Sequence, residues 1–345
     1  MSEREARNLL AADIGGTNCR LARFALTRDG QLVLERSVWL ESPSMQTTEH
    51  LLAALERELE LHPARADATV LALGGPVRDG VRGRLTNGSL EVDVRPLLTS
   101  GGRPVRVIND FEAQACACLT DLGAKARQLW PAGKAATPRA ATAQAPRAVI
   151  GAGTGLGVAA LYPLAMAAPG AAGWLVAPSE GGHAPFPFVG NEENAFHEFL
   201  RRALERPVAR GDDVLSGRGL ALLHEFLRGE RLSPGEVGRT ALRSPTPTLD
   251  WYSRFYGRAC RTLMVSTLCT GGLWIAGGIA ARNPLCVSCA GFFRELHAEP
   301  AFAAWLDAIP VRLLEDVESG LWGAAQFGLM LLEQRVDRQA PSAPH

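Results

Sequence analysis

The order of apolar and polar positions lays out the elements of this chain before any chemistry is considered. From Asn8 it runs LLAADIGG, an apolar stretch stopped by two glycines, and Cys19 to Leu26 (CRLARFAL) then alternates as a half-buried strand does. Gln31 to Leu40 (QLVLERSVWL) continues the alternation, so the opening reads as three successive strands joined by hairpins. Thr47 to Leu61 (TTEHLLAALERELEL) spaces leucines and alanines at helical intervals, and Ala68 to Leu73 (ATVLAL) returns to strand. After the turn-rich GGPVRDGVRG come a short helix over Val94 to Leu98, a strand over Pro104 to Ile108, and Asn109-Asp110 opening the helix FEAQACACL.

Residues 133–147 (GKAATPRAATAQAPR) read as a surface loop from their Ala, Thr and Pro content. The chain beyond them repeats the opening: Ala148-Val149-Ile150 is a strand, GAGTGLG a glycine turn, and VAALY a second strand. Helices are expected over Glu192 to Glu205, around Gly219 to Arg228, and from Leu249 to about Leu268, with strands at LWIAGGI and at VRLL over 311–314. From about Glu315, ending in the helix GLWGAAQFGLMLLEQR, the chain returns to its first lobe, and the tail Gln339 to His345 is expected to be disordered. The repetition predicts an α/β protein of two similar lobes facing each other, with a ligand in the cleft between them. The small lobe is 1–109 with about 315–345, and the large lobe is 110–314.

Composition narrows the function classes. The 345 residues carry 36 Lys+Arg against 36 Asp+Glu, a formal charge of zero, which argues against a polyanion binder such as a nucleic-acid protein. With 47% hydrophobic and 21% charged residues the chain is globular, long enough for two domains of roughly 150 residues. Ala148 to Ser179 and Thr262 to Ala281 hold no charged residue, but their glycines and prolines suit buried strands and turns better than a membrane span. Met1 to Asn8 lacks the basic and apolar regions of a signal peptide, so a cytoplasmic chain is the expectation. Seven cysteines, mostly in apolar runs, fit buried thiols of a reducing compartment. Cys286 and Cys289 have the spacing of half a zinc site, with no second pair to match, and their role stays open.

Four segments could carry chemistry. In Asp13-Ile14-Gly15-Gly16-Thr17-Asn18 the glycines would let the backbone approach a phosphate, Thr17 and Asn18 add side-chain donors, and Asp13 could hold Mg²⁺ through water. The same segment also reads as a plain hairpin with a polar turn. Gly151 to Gly157 (GAGTGLG) offers the same parts, with one hydroxyl at Thr154. It fits no G-x-G-x-x-G register, and Gly75 to Gly80 has P-loop spacing but is followed by Val81 instead of Lys, so Rossmann and P-loop readings lose their support. Asn109-Asp110 is either a helix cap or the place where Asp110 accepts the proton of a substrate hydroxyl as it attacks a γ-phosphorus. Glu180-Gly181-Gly182-His183 sets an acceptor and a ring nitrogen three residues apart, which suits a polyhydroxylated ligand or a surface turn.

Together these segments resemble one family. LLAADIGGTNCRLA, GGPV with LTNGSLEVD, VINDFEAQA, GAGTGLGV, EGGHAPF, DDVLSGRGL and WIAGGIAAR have the order and spacing of bacterial glucokinases of the hexokinase/actin-like superfamily, from about residue 9 to 330. The resemblance implies two ribonuclease H-like lobes closing on glucose, with ATP and Mg²⁺ as cosubstrate and cofactor and a homodimer as assembly. It implies Asp110 as catalytic base on the sugar 6-hydroxyl, and Asn109, Glu180, His183 and Asp212 as sugar ligands. Asp13, Gly15, Gly16, Thr17 and Asn18 match the first phosphate loop, Thr154 and Gly155 the second, and Gly277-Gly278 the adenosine-side turn.

The chain departs from the family pattern in two places. The family usually has Glu where this chain has Asp212, and a Trp soon after the TN motif where this chain has Gly88, Ser89 and Leu90. These changes keep alive a kinase for another hexose or an amino sugar, and a non-catalytic sugar sensor is the rival from a different class. A related group of sugar kinases and repressors carries a cysteine-rich zinc motif after its EGGH-like segment, but His183 to Gly217 contains no cysteine here.

Overall fold

The computed structural model describes residues 7–98, 102–131, 144–165 and 172–339. Most of the loop expected over 133–147 and all but Gln339 of the expected tail lie outside these residues. The chain divides into two compact units, Met1–Ala124 with Val317–His345, and Lys125–Asp316.

The first unit begins with an antiparallel meander of β1 (Arg7–Ile14), β2 (Asn18–Leu26) and β3 (Leu32–Glu41). Helix α1 (Thr48–Leu59) then returns the chain so that β4 (Ala68–Leu73) lies parallel to β1. Thr47 caps α1 by accepting from His50 N, and Glu60 in the left-handed region (φ 54°) stops it at Leu59, just short of the expected Leu61. The turn-rich stretch builds a small antiparallel sheet of β5 (Val77–Arg78), β6 (Arg82–Arg84) and β7 (Glu91–Asp93), and α2 (Arg95–Leu98) leads to β8 (Val105–Asn109), parallel to β4. The main sheet therefore runs β3-β2-β1-β4-β8.

Burial on both faces explains the unbroken apolar sequence of β1. Leu10, Ala12 and Ile14 pack on one side with Leu51, Leu55 and Leu59 of α1, while Leu9 and Ala11 pack on the other with Leu321, Ala324 and Ala325 of the C-terminal helix, Ser319–Gln339. That helix also holds α3 (Asp110–Ala117), because Ala113 shares its apolar cluster and Ser319 Oγ donates to Gln114 Oε1 at 2.9 Å. This packing puts α3 in the first unit. The division falls at 124/125, within α4 (Asp121–Lys125), and not at 109/110 as the strand-to-helix junction in the sequence suggests.

The second unit repeats the plan. Its sheet contains β9 (Arg127–Trp130), β10 (Arg147–Ala152), β11 (Leu156–Ala165) and β12 (Ala172–Ser179), succeeded by helices α5 (Gly190–Leu204), α6 (Gly211–Leu215), α7 (Gly217–Arg228), α8 (Pro234–Ala241) and α9 (Pro247–Thr267). Then come β13 (Gly272–Ala276), α10 (Gly278–Arg282), α11 (Ala290–Leu296), α12 (Ala303–Ala308) and β14 (Val311–Leu313). The order β12-β11-β10-β13-β14-β9 matches the first unit over its leading five strands, with the same antiparallel and parallel pairings, and adds β9 at the edge. Both units thus have the ribonuclease H-like arrangement. The expected strand LWIAGGI ends early: Gly277 turns the backbone to φ 87°, where a Cβ would lie 2.6 Å from Ala152 O, and α10 begins at Gly278.

Candidate active site

In the first unit the residues singled out by chemistry gather at the carboxyl ends of the parallel strands β1, β4 and β8, the edge at which open α/β sheets bind ligands. Asp13 lies one residue from the end of β1, directly across from Arg20 on β2, whose Nη1 donates to Asp13 Oδ2 at 2.8 Å. Arg20 also lies over the Trp39 ring, 4.3 Å from its centroid. Burial pushes the Asp13 carboxyl up from the usual carboxylate range, against the opposing pull of Arg20. Gly15 and Gly16 form the turn, closed by Gly15 N donating to Asn18 O at 3.0 Å, and Thr17 and Asn18 are exposed. Ser42 braces it, donating Oγ to Gly15 O at 2.6 Å and N to Thr17 O at 3.0 Å.

Asn109 ends β8 and caps α3. Its Oδ1 accepts from Phe111 N at 2.8 Å, its Nδ2 donates to Gly75 O at 3.2 Å, and Glu112 Oε2 accepts from Asn109 N at 2.8 Å, which completes a capping box. The cap reading of Asn109 is therefore realised, and it orients the first turn that carries Asp110. A Cβ placed on Gly74 would lie 3.5 Å from both Asp110 Oδ2 and Ile14 O, so the Asp110 carboxylate stands beside the end of β1 and its glycine turn.

The second unit gathers its candidates in the same way. Thr154, exposed, and Gly155 form the turn between β10 and β11, with Gly153 N donating to Gly155 O at 2.8 Å. Gly277 packs against Ala152 at the foot of that turn, and Gly278 starts α10 beside it. Asp212 on α6 accepts from Leu156 N at 2.7 Å. Glu180 and His183, both exposed, come after β12 across the Gly-Gly bend, their side chains 3.6 Å apart at Oε2 and Nε2. Unit one therefore collects the glycine turn after β1 with Asn109 and Asp110, and unit two collects the turn between β10 and β11 with Asp212, Gly277, Gly278 and the Glu180/His183 pair.

Comparisons with known proteins decide what this collection belongs to. The family model for glucokinase matches residues 10–330. The glucokinase of Nitrobacter hamburgensis is 32% identical over 330 residues, covering 92% of this chain and 96% of that protein. The glucokinase of Neisseria meningitidis is 30% identical over 327 residues, covering 92% and 93%. The chain belongs to the glucokinase family. Among solved structures, a glucokinase from an Antarctic psychrotroph superimposes with TM-score 0.74 at 25% identity, covering 93% of this chain and 98% of that one. The glucose complex of Balamuthia mandrillaris glucokinase does so with TM-score 0.74 at 21% identity, covering 95% of each, a likeness of fold.

Within this glucokinase frame, two partners of the first turn escape a reading of the sequence. Arg20 pairs with Asp13 through the hairpin register, which alternation alone could have suggested. Gly320 lies more than three hundred positions away, and a Cβ there would fall 2.5 Å from Asp13 Oδ2, so no periodicity points to it. Leu90 is buried, and its carbonyl accepts from Leu85 N at 3.0 Å. Among the described residues no group of three or more His, Cys, Asp or Glu could hold a metal, Cys286 and Cys289 included. No described helix is long and apolar enough to cross a membrane.

Proposed function

We propose that the family reaction, ATP-dependent phosphorylation of glucose, runs in this chain with Asp110 as the group that receives the 6-hydroxyl proton. The hydroxyl oxygen bonds to the γ-phosphorus, the bond from phosphorus to the bridging oxygen of ADP breaks, and the proton passes to the Asp110 carboxylate. Asp110 stands at the first turn of α3 and acts chiefly by orienting the hydroxyl. That suffices where the transition state is loose and orienting the hydroxyl matters more than base strength. Asn109 braces the turn and offers its remaining amide hydrogen to the sugar, while Glu180 and His183 accept and donate to its other hydroxyls.

Gly15, Gly16, Thr17 and Asn18 approach one end of the polyphosphate, Thr154 and Gly155 the other, and Gly277-Gly278 the adenosine side. Asp13 is a lone carboxylate already paired with Arg20, which fits a hydrated magnesium ion carried in on the nucleotide and does not fit a metal caged by protein alone. Magnesium would supply neutralisation of the β- and γ-phosphate charge. Seven free cysteines, six of them buried, favour a reducing, cytoplasmic setting, and the family favours a homodimer.

The placement of Asp110 carries the reading: a carboxylate on the first turn of a helix at a strand's carboxyl end, beside the glycine turn of β1. Glucose-dependent ADP formation with Mg-ATP, coupled to glucose 6-phosphate detection and run beside Asp110→Asn, tests it. Wild-type turnover with a loss of about a thousandfold or more in kcat for Asp110→Asn is expected. Retained activity in the variant removes Asp110 from the mechanism. ADP release with another hexose or an amino sugar, and none with glucose, moves the error to the sugar ligands.

A further inference from the structure

We propose that Asp212 is the positioning residue of the second phosphate turn, and that its carboxylate sets this turn for the nucleotide instead of holding the sugar. The inference rests on the proposed glucose phosphorylation and reassigns one residue within it. Asp212 Oδ1 accepts from Leu156 N at 2.7 Å, the length of a charge-assisted hydrogen bond. The same oxygen fills the space above Gly155, where a Cβ would fall 2.7 Å away, so the carboxylate and the bare glycine are fitted to each other.

The other side of the turn is tied to the same segment. Asp212 O accepts from Ser216 N at 3.1 Å, Ser216 Oγ caps α7 by accepting from Gly219 N at 3.2 Å, and Gly217 N donates to Gly153 O at 2.8 Å. The turn is thus gripped at Gly153 and at Leu156 by residues 212 and 217. The neighbouring acid does different work: Asp213 Oδ2 accepts from Arg210 N at 3.0 Å, and its Oδ1 lies 3.6 Å from Arg206 Nε. Asp213 therefore holds its own segment, and of the two acids it is Asp212 that reaches the turn.

A carboxylate beside a polyphosphate turn repels the ligand, so its presence there calls for a task that needs an acceptor. Fixing Leu156 N is that task. The aspartate side chain has the reach to do it, with Oδ1 lying between Leu156 N and the bare face of Gly155.

Steady-state kinetics of Asp212→Ala and Asp212→Asn, with direct binding of glucose and of a non-hydrolysable ATP analogue, test this. Asp212→Ala is expected to raise the KM for ATP about tenfold and leave that for glucose within about twofold. Asp212→Asn, whose amide oxygen still accepts from Leu156 N, is expected to bring the ATP value back to within about threefold of wild type. A rise in glucose KM as large as that for ATP, in either variant, overturns the proposal. Where Asp212→Ala does not fold, Asp212→Ser, too short to reach Leu156 N, takes its place: a raised ATP KM with an unchanged glucose KM upholds the proposal, and an unchanged ATP KM or a raised glucose KM overturns it. Absence of wild-type turnover would instead be the failure of the proposed reaction, and the binding measurements on the two variants would still answer for Asp212.

Discussion

At the scale of single residues, the glycine turn after β1 shows how much depends on groups that sequence order separates. Asp13 and the glycines after it are legible because a strand ending in a glycine turn is a local pattern. Gly320 is not, because only the packing of the C-terminal helix on β1 brings its Cα against the Asp13 carboxylate. A methyl group at 320 would meet Oδ2 at 2.5 Å with helix backbone behind it, so the carboxylate must swing away from Arg20. Gly320→Ala is expected to lower kcat/KM for ATP by about tenfold or more, since small displacements of positioning groups are costly, while glucose affinity changes little. Steady-state kinetics with each substrate varied in turn would show it, and a wild-type ATP profile would mean that Asp13 plays no part in holding the nucleotide. Cys19, next to this pair, gives an independent check. Burial, with the Asp13 charge adding to it, pushes its thiol up to about 12, so native protein should leave Cys19 unlabelled by iodoacetamide at neutral pH. Mass spectrometry of the labelled chain reads that directly.

At the scale of elements, the strong periods give α1, α5, α7, α9 and the strands β1 to β4, β8, β10, β11, β13 and β14 to within a few residues, because burial of one face or of both writes itself into the sequence. What stays hidden are β5 to β7, β9, β12, the helices α4, α6 and α8, and the short helices between α9 and β14. Strands of two to four residues are too short to show a period, and they are held by neighbours instead of by their own pattern. The same limit hides the ionic knot that joins α5, α9 and α11. Arg258, 2% exposed, donates to both oxygens of Glu193, itself 2% exposed, and to both of Glu295, and it also donates to Pro187 O in the segment after His183. Removing one partner strands a buried charge, so Arg258→Met should cost about 3–5 kcal/mol of unfolding free energy, against less than about 1 kcal/mol for deleting the exposed Arg36–Glu60 pair. Urea denaturation of both variants makes the comparison. The knot also sets an acid limit. Burial raises the Glu295 carboxyl, but the Arg258 hydrogen bonds and the charges of Arg258, Arg261 and Arg254 outweigh it and hold it below its ordinary value of 4.5. A lowered folded value means stability that is present above pH 4.5 and is lost as the pH falls through the folded value. Glu295→Gln should flatten that part of the stability profile, and an unchanged slope would place the acid sensitivity elsewhere.

At the scale of the whole molecule, two units share one topology: each contains a strand, a glycine turn and a strand, and each assembles its candidate residues at the same edge of its own sheet. That duplication is visible as repeated patterning, whereas the join at 124/125 is not, because it depends on α3 packing against a helix from the far end of the chain. The proposed division of labour among the site residues has a thermodynamic consequence. A ligand that binds only the folded protein stabilises it by mass action, by about 2.7 kcal/mol at a hundred times its dissociation constant. If Asp110 acts on the proton and the sugar is held by Asn109, Glu180 and His183, then Asp110→Asn should lose turnover and keep this stabilisation by glucose in full. Glu180→Gln and His183→Ala should lose much of it while still melting higher with the ATP analogue. Thermal melting of the three variants with each ligand separates the roles. Stabilisation by glucose that disappears in Asp110→Asn would make Asp110 a sugar ligand first and a base second, and the loss of its activity would then no longer identify the proton acceptor.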